Sequence, residues 1–458
     1  MLDGPPVVHR SLVAVVVVSL ARVIHAEPAA LTLHQAIVFA REHQPSIIAA
    51  RARVDVARAQ ARIPEAARAI RVGAAAEILG GTNNNTTTSF GTLGFLDVAR
   101  IGGTPANAPI SWSPQASTLA GISVHKDVFD FGRLEELGEA LDTQARAAGE
   151  NARAAELDLE LLVEESFYAV LGAKAVLAAS EAAVTRGTTH RDFAKARVNA
   201  QLMPPIELTR SEADLAHYEV ERVRANGALL TAQAVLAASI GSTTASVDAG
   251  TDDVVLADAT PTALSDLDAK APELRAARDQ LDAQRLITKS IRDEMLPDLG
   301  FSAELTSRAG GADVAANAGP YGNGFIPSVP NWDALLVVTW PLYDRVVTTR
   351  ADASQRVEAV RAAELAQVSE ELRTIAERAL VELDVQRLAL PALQRAVDAA
   401  QANHAQAEAR FNGGLGTAVE LSDAEALLTQ AQIQLAVGQF QLSRARAQLA
   451  RILAEPTR

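Results

Sequence analysis

The side chains in this sequence best suited to chemistry are carboxylates, and the most informative of them lie in two stretches that resemble each other. RFNGGLGTAVELSDAEALL runs from Arg410 to Leu428, and RVNAQLMPPIELTRSEADL runs from Arg197 to Leu215. The two align without a gap at a separation of 213 residues, which pairs Glu207 with Glu420 and Glu212 with Glu425. Carboxylates in the first turn of a helix complement the positive end of its dipole. Thr417 and Glu420 also have the T-x-x-E spacing of a capping box, in which hydroxyl and carboxylate satisfy each other's backbone N–H groups.

Other chemistries find no support in residue type or spacing. The chain has no cysteine, which removes disulfides, thiol catalysis and thiolate metal ligation. The eight histidines, His125, His190, His217 and His404 among them, lack metal-ligand spacing and are expected on helix surfaces or in loops. There is no phosphate-binding loop and no G-x-S-x-G, and the glycine-rich stretches fall in the wrong context for a dinucleotide. No cofactor is expected. A net charge of −14 offers no basic stripe for nucleic acid. The acid-rich LEELGEALD from Leu134 reads as a solvated helix face.

The elements that hold the paired carboxylates are themselves duplicated. Downstream the same register pairs Leu215 with Leu428, Leu229 with Leu442 and Leu236 with Leu449. Upstream, PSIIAARARVDVARAQARI from Pro45 matches PELRAARDQLDAQRLITKS from Pro272, and VGAAAEI at Val72 matches LGFSAEL at Leu299. VFDFGR from Val128 matches LYDRVV from Leu342 through Asp130 and Asp344. Each half is therefore predicted as helix, strand pair, long helix, turn, helix, with the first hairpin lengthened inside a loop, where insertions are tolerated.

Alanine-rich composition with only 4% aromatics favours closely packed helices. The pattern is continuously helical from about Arg133 to Gln201, on the order of 100 Å of rod at 1.5 Å per residue. Such a rod must bury its apolar stripe along other rods. Leu421, Leu428, Leu435, Leu442 and Leu449 recur every seven residues, interleaved with Ala424, Ala431, Gly438, Ala445 and Ile452. That spacing predicts a left-handed supercoil seam of close-packed helices. The first half keeps Leu208, Leu215, Leu229 and Leu236 but has Arg222 and Tyr218 in the series, so its seam is expected to be looser or wetter.

STLAGISV at Ser117 and DALLVVTW at Asp333 read as strands bounded by Pro, Gly and Asn clusters. Trp112, Trp332 and Trp340 all lie in or beside these segments. They fit an aromatic belt at a membrane interface; a small soluble β-subdomain with a tryptophan core is the other reading. The loops from Gly80 and from Ala309 are polar and Gly- and Asn-rich. At the N-terminus, Arg10, the apolar run Leu12 to Leu20 and a cleavage point at Ala21 or Ala26 predict an export signal over residues 1–26. No other stretch reads as a transmembrane helix. The expected organisation is a first repeat over 27–240, a linker over 241–263, a second repeat over 264–455 and a tail over 456–458.

Signal, duplicated halves, FDFGR after the second strand and RFNGGLGTAVEL at a helix–helix turn together resemble the outer membrane efflux protein family, channels similar to TolC. The resemblance implies a mainly α protein with a membrane β-barrel portion. Three protomers would each give four strands to one shared 12-stranded barrel, and duplicated coiled-coil sectors would form a trimeric α-barrel across the periplasm. It implies no enzymatic activity, but an outer-membrane exit duct of a tripartite efflux or type I secretion system. A periplasmic adaptor would open it and an inner-membrane transporter would energise it. The adaptor would dock on the turns Ala200, Gln201, Leu202 and Gly413, Gly414, Leu415. Glu420 and Asp423, with the repeat counterpart Glu207, would form the acidic gate of the periplasmic end. The family's tyrosine and basic latch residue are replaced by Phe411 and Gly416. From a different class, a periplasmic coiled-coil adaptor or scaffold would need one long hairpin and a compact β-domain, where this chain has two helical sectors in series.

Overall fold

A computed structural model describes residues 30–81, 112, 115–250, 267–310 and 329–454. The expected export signal lies outside the described residues, as do the two Gly- and Asn-rich loops between strands apart from Gly80, Gly81, Ala309 and Gly310, which end strands. The first half begins with α1 (Leu33–His43), α2 (Pro45–Ala61) and α3 (Ile63–Arg68), then strands β1 (Arg71–Gly81) and β2 (Gln115–Phe129). It continues with the long α4 (Arg133–Asn199) and α5 (Pro205–Ser239). The second half repeats the plan: α6 (Leu267–Lys270), α7 (Pro272–Asp293), β3 (Asp298–Gly310), β4 (Val329–Thr339), α8 (Arg345–Asn412) and α9 (Ala418–Ile452). The predicted segment at Ser117 falls within β2 and that at Asp333 within β4 except for Trp340, and both strands begin earlier because pairing carries the chain past the alternating stretch.

The matched aspartates mark where sheet gives way to helix. Asp130 accepts hydrogen bonds from Gly132 N (3.2 Å) and Leu134 N (2.9 Å), and Asp344 accepts from Val346 N (2.7 Å) and Val347 N (3.3 Å). Each carboxylate thus satisfies N–H groups that the first turn of a long helix leaves open.

The four strands form one antiparallel sheet in the order β1-β2-β3-β4. Its pairing register separates two faces. Val72, Ala74, Ala76 and Ile78 of β1 lie beside Ile122 and Val124 of β2, then Phe301, Ala303 and Leu305 of β3 and Trp332, Ala334 and Leu336 of β4. The opposite face carries Glu77, Ser123, His125, Ser302, Glu304, Thr306, Asn331 and Asp333. The apolar face is the exposed one: Ile78, Leu305, Trp332, Leu336 and Val338 have nothing packed over them.

Two cores lie along the helices. One gathers Ile37, Ile47, Val163, Phe167 and Leu236 from α1, α2, α4 and α5, and includes Ile240, Val247 and Ala249. Residues 241–250, expected to begin a linker, are therefore packed, with Gly250 N donating to Leu31 O (2.8 Å). The other gathers Leu274, Leu372, Ala376, Leu442, Leu449 and Ile452 from α7, α8 and α9. The halves meet along a ladder of acids from α4 and bases from α7 and α9. Glu136 pairs with Lys289, Glu150 with Arg275 (3.3 Å), Asp158 with Arg451 (2.7 Å) and Glu165 with Arg444 (2.9 Å).

The heptad seam of α9 is buried as its spacing predicts, with Leu421, Leu428, Leu442, Leu449, Ala424, Ala431 and Ala445 inside. A Cβ at Gly438 would come within 2.4 Å of Leu393 Cδ1, so the glycine lets α8 and α9 approach. The first-half seam is wet at Arg222, which is exposed, but not loose at Tyr218, which is buried. Its ring fills the space of the missing Cβ of Gly187, 2.9 Å from where that atom would stand. The expectation that no stretch beyond the leader is long and apolar enough for a transmembrane helix also needs correction. One window of α4 passes that test by length and composition. A 67-residue helix is about 100 Å long, several times the bilayer core.

Candidate functional site at the helical tip

The hairpin ends carry the predicted gate and docking residues, and the two turns are built alike. Ala200 N donates to Ala196 O and Gly413 N to Ala409 O, each at 3.0 Å. Gln201 N donates to Val198 O and Gly414 N to Phe411 O, again at 3.0 Å. Leu202 N donates to Arg197 O and Leu415 N to Arg410 O, both at 2.8 Å. These three bonds have twins 213 residues away, the second turn adds one from Gly416 N to Arg410 O (3.0 Å), and each turn reverses through one left-handed residue, Gln201 at φ +56° and Gly414 at φ +72°. Glycine takes that conformation at no steric cost and glutamine does not. Of the glycines at 413, 414 and 416, only Gly414 needs it.

The turns present apolar tips. Leu202 is 74% exposed and Leu415 80%, at matched positions. Thr417 caps α9, its hydroxyl accepting from Glu420 N at 3.2 Å. Glu420 does not reach back to close the box. Its half-exposed carboxylate instead lies 3.8 Å from Arg410 Nη2, across the turn. Asp423 is exposed, and Glu207 is half-buried with Oε2 inside and without a hydrogen-bond partner.

Behind the turns the halves are locked together. Phe411, 2% exposed, packs with Ala407, Leu421 and Ala424, against the rings of His190 (5.0 Å between centroids) and Phe193 (5.4 Å). The Arg197 guanidinium sits 4.5 Å over the Phe193 ring and donates to Asn412 O at 3.2 Å, joining the first turn to the second. Ser422 Oγ donates to Asp214 Oδ2 at 2.8 Å, joining α9 to α5.

One turn deeper lies a titratable cluster that sequence reasoning missed. Glu425 is 4% exposed, with its carboxylate 3.7 Å from His404 Nε2, while His404 Nδ1 lies 4.0 Å from Glu408. Arg186 from α4 donates to Thr429 Oγ1 at 3.0 Å, and Tyr218 closes the cluster from α5. Burial pushes the Glu425 carboxyl up to about 7, Arg186 opposes, and Asp214 and Glu408 add to the rise. Burial also depresses His404 and His190 and raises Tyr218. His404 and His190 are thus packed where α8 and α4 face each other rather than on a surface, His190 against Phe411 and His404 against Glu425. Glu425 had one legible signal: it falls on the apolar stripe between Leu421 and Leu428, where a charge is out of place. Among the described residues no group of His, Asp and Glu is arranged to hold a metal.

The tryptophans are far from the tip, on the sheet. Trp332, 77% exposed, stands on the apolar face, Trp340 is exposed just past the end of β4, and Trp112 is exposed beside the strands. Eight residues separate Trp332 from Trp340, about 27 Å of strand at ~3.4 Å per residue. That is close to the ~25 Å apolar band of an outer-membrane barrel.

A sheet with one exposed apolar face, continuous with paired long-helix hairpins that end in matched turns, is the architecture of an outer-membrane channel protomer. The chain belongs to the outer membrane efflux protein family, whose model matches residues 36–242 and 263–455. The fold is that of solved channels at low identity. The CmeC outer membrane channel of Campylobacter jejuni gives a TM-score of 0.76 at 13% identity, covering 92% of this chain and 85% of that one. VceC of Vibrio cholerae gives 0.72 at 18%, covering 92% and 95%, and CusC gives 0.75 at 17%, covering 94% and 95%. Among curated proteins, the fusaric acid resistance protein FusA of Burkholderia cepacia is 28% identical over 229 residues. That alignment spans 49% of this chain and 41% of the relative.

Proposed function

We propose that three copies of this chain form one passive outer-membrane exit duct, with twelve strands closing a barrel in lipid and six helical sectors closing a tube across the periplasm. The observation that carries this reading is the two-faced sheet. Its apolar side suits hydrocarbon, its polar side suits an aqueous lumen, and its outer strands β1 and β4 each have a neighbour on one side only. An open sheet edge in lipid costs several kcal/mol per unmet backbone group, and closure with further copies removes it. The helical part has a matching need: Val360, Val381, Val385 and Leu388 of α8 and Val220, Val223 and Leu230 of α5 are exposed. A second copy offers α5 to α8 just as α9 is offered to α4 within the chain.

In this reading the export signal carries the chain out of the cytoplasm. The tip turns receive the hairpins of a periplasmic adaptor, Leu202 and Leu415 giving it apolar contacts. Glu420, Asp423 and Glu207 become rings of carboxylates at the periplasmic mouth, where like charges favour cations and resist closure until a partner neutralises them. An inner-membrane transporter supplies the energy and selects the cargo, and the duct performs no catalysis. Resistance to fusaric acid is a phenotype worth testing on the strength of the relative's name.

The test is fractionation of cells expressing the whole chain, followed by an unheated detergent gel of the outer membrane. A band at three times the monomer mass supports the duct and leads to conductance of Glu420→Ala and Asp423→Ala, each expected to lower cation preference. A soluble periplasmic monomer would reject the duct in favour of an adaptor or scaffold.

A further inference from the structure

We propose that Arg410 is a clasp between copies at the tip: its guanidinium donates to the Asn199 carbonyl of the next copy, as Arg197 donates to Asn412 within one chain. The inference rests on the duct assembly proposed above. Arg197 and Arg410 occupy the same place in the duplicated turns, and so do Asn199 and Asn412. Three backbone hydrogen bonds around each turn are matched in partner and length, so the two arginines leave similar backbones. Within the chain the contact runs forward, from the end of α4 to the end of α8. In a closed ring of alternating sectors the next forward step runs from the end of α8 to the end of α4 in the neighbouring copy.

Arg410 is available for that step. Within its own chain it holds only Leu415 O at 3.4 Å and the Glu420 carboxylate at 3.8 Å, at the long limit of such contacts, with half its surface exposed. A terminal helical carbonyl has no partner within its own helix, so the last turn of α4 offers an acceptor. One part of the arrangement is not duplicated. Gln406 stands where Phe193 supports Arg197, so the clasp between copies lacks the ring beneath it and is the weaker of the two. The tip then alternates three tight junctions within chains and three weaker ones between them, and it opens first between chains.

The absence of native cysteine gives a clean test in the full chain. Asn199→Cys with Arg410→Cys, treated in outer membranes with a short bismaleimide, is expected to yield a covalent trimer after heating, and each single variant only monomer. Arg410→Ala is expected to lower the temperature at which the unheated trimer dissociates, with Arg410→Lys partly restoring it. An intact trimer whose double variant stays monomeric after reaction and heating overturns the clasp while the duct stands. A fall in that temperature with Glu420→Ala equal to the fall with Arg410→Ala also overturns it, since Arg410 would then act within its own turn. A chain that never forms a trimer overturns the duct and the clasp with it.

Discussion

Glu425→Gln should stabilise this protein at alkaline pH and do little at acid pH. The carboxyl moves from an ordinary 4.5 to about 7 in the folded chain because burial penalises its charged form more than Arg186 rewards it. The native state therefore holds its proton more tightly than the unfolded chain does. Below about 4.5 both states are protonated and the contribution to stability is fully present. As pH rises from there towards 7 the unfolded chain ionises first, stability is lost, and the loss levels off once the folded carboxyl ionises. A difference of 2.5 units corresponds to about 3 kcal/mol at ~1.4 kcal/mol per unit. Glutamine keeps the shape and cannot ionise, so the variant regains most of that amount at pH 8 and little at pH 4.5. For 458 residues, an unfolding entropy of about 2 cal/mol/K per residue converts this to roughly 3 °C per chain. The groups facing Glu425 are Arg186 and His190 from α4, Asp214 and Tyr218 from α5, and His404 and Glu408 from α8. The depressed histidines contribute stability that is lost as pH falls below their ordinary 6.5, but parent and variant share them and the comparison removes that background. The assay is the thermal midpoint by circular dichroism in detergent, parent against variant, at pH 4.5 and pH 8. An equal shift at both pH values would show that Glu425 is already charged in the folded state, and the burial argument would fail.

Three further outcomes are expected. Gly187→Ala should lower the thermal midpoint, because its Cβ meets the buried Tyr218 ring at 2.9 Å and overpacking costs about 1–3 kcal/mol, whereas Gly438→Ala meets only the tip of Leu393 and should be milder. Gln201→Gly should stabilise and Gly414→Ala destabilise, each by about 1 kcal/mol, since a Cβ in the left-handed region costs roughly that much; thermal scans of both variants check the pair. Leu336→Arg, on the apolar face, should cost about 2–4 kcal/mol in the membrane and deplete the outer-membrane trimer, while Leu335→Arg on the opposite face should leave its yield near that of the parent.

What could be read without coordinates was periodic or local. Heptads of leucine and small residues specify a seam whatever lies beyond it, so the α9 stripe from Leu421 to Ile452 was legible. Duplicated turns and the matched Asp130 and Asp344 followed from spacing alone, because a cap and a reversal act within a few residues of themselves. The Thr417 hydroxyl bond was legible for the same reason, but the partner of the Glu420 carboxylate was not, since Arg410 and the capping geometry compete for it. Tertiary structure decided everything that depends on which face of one rod meets another. Tyr218 reads as a misfit until Gly187, 31 residues away along the hairpin, makes room for it. His404 looks like an ordinary helix-surface group and Glu425 like a misplaced charge until α4 is laid beside them, and burial is the largest cause of the shift in both. Arg197 and Asn412 are 215 residues apart and carry no mutual signal in the chain; they meet because two halves of one design pack side by side.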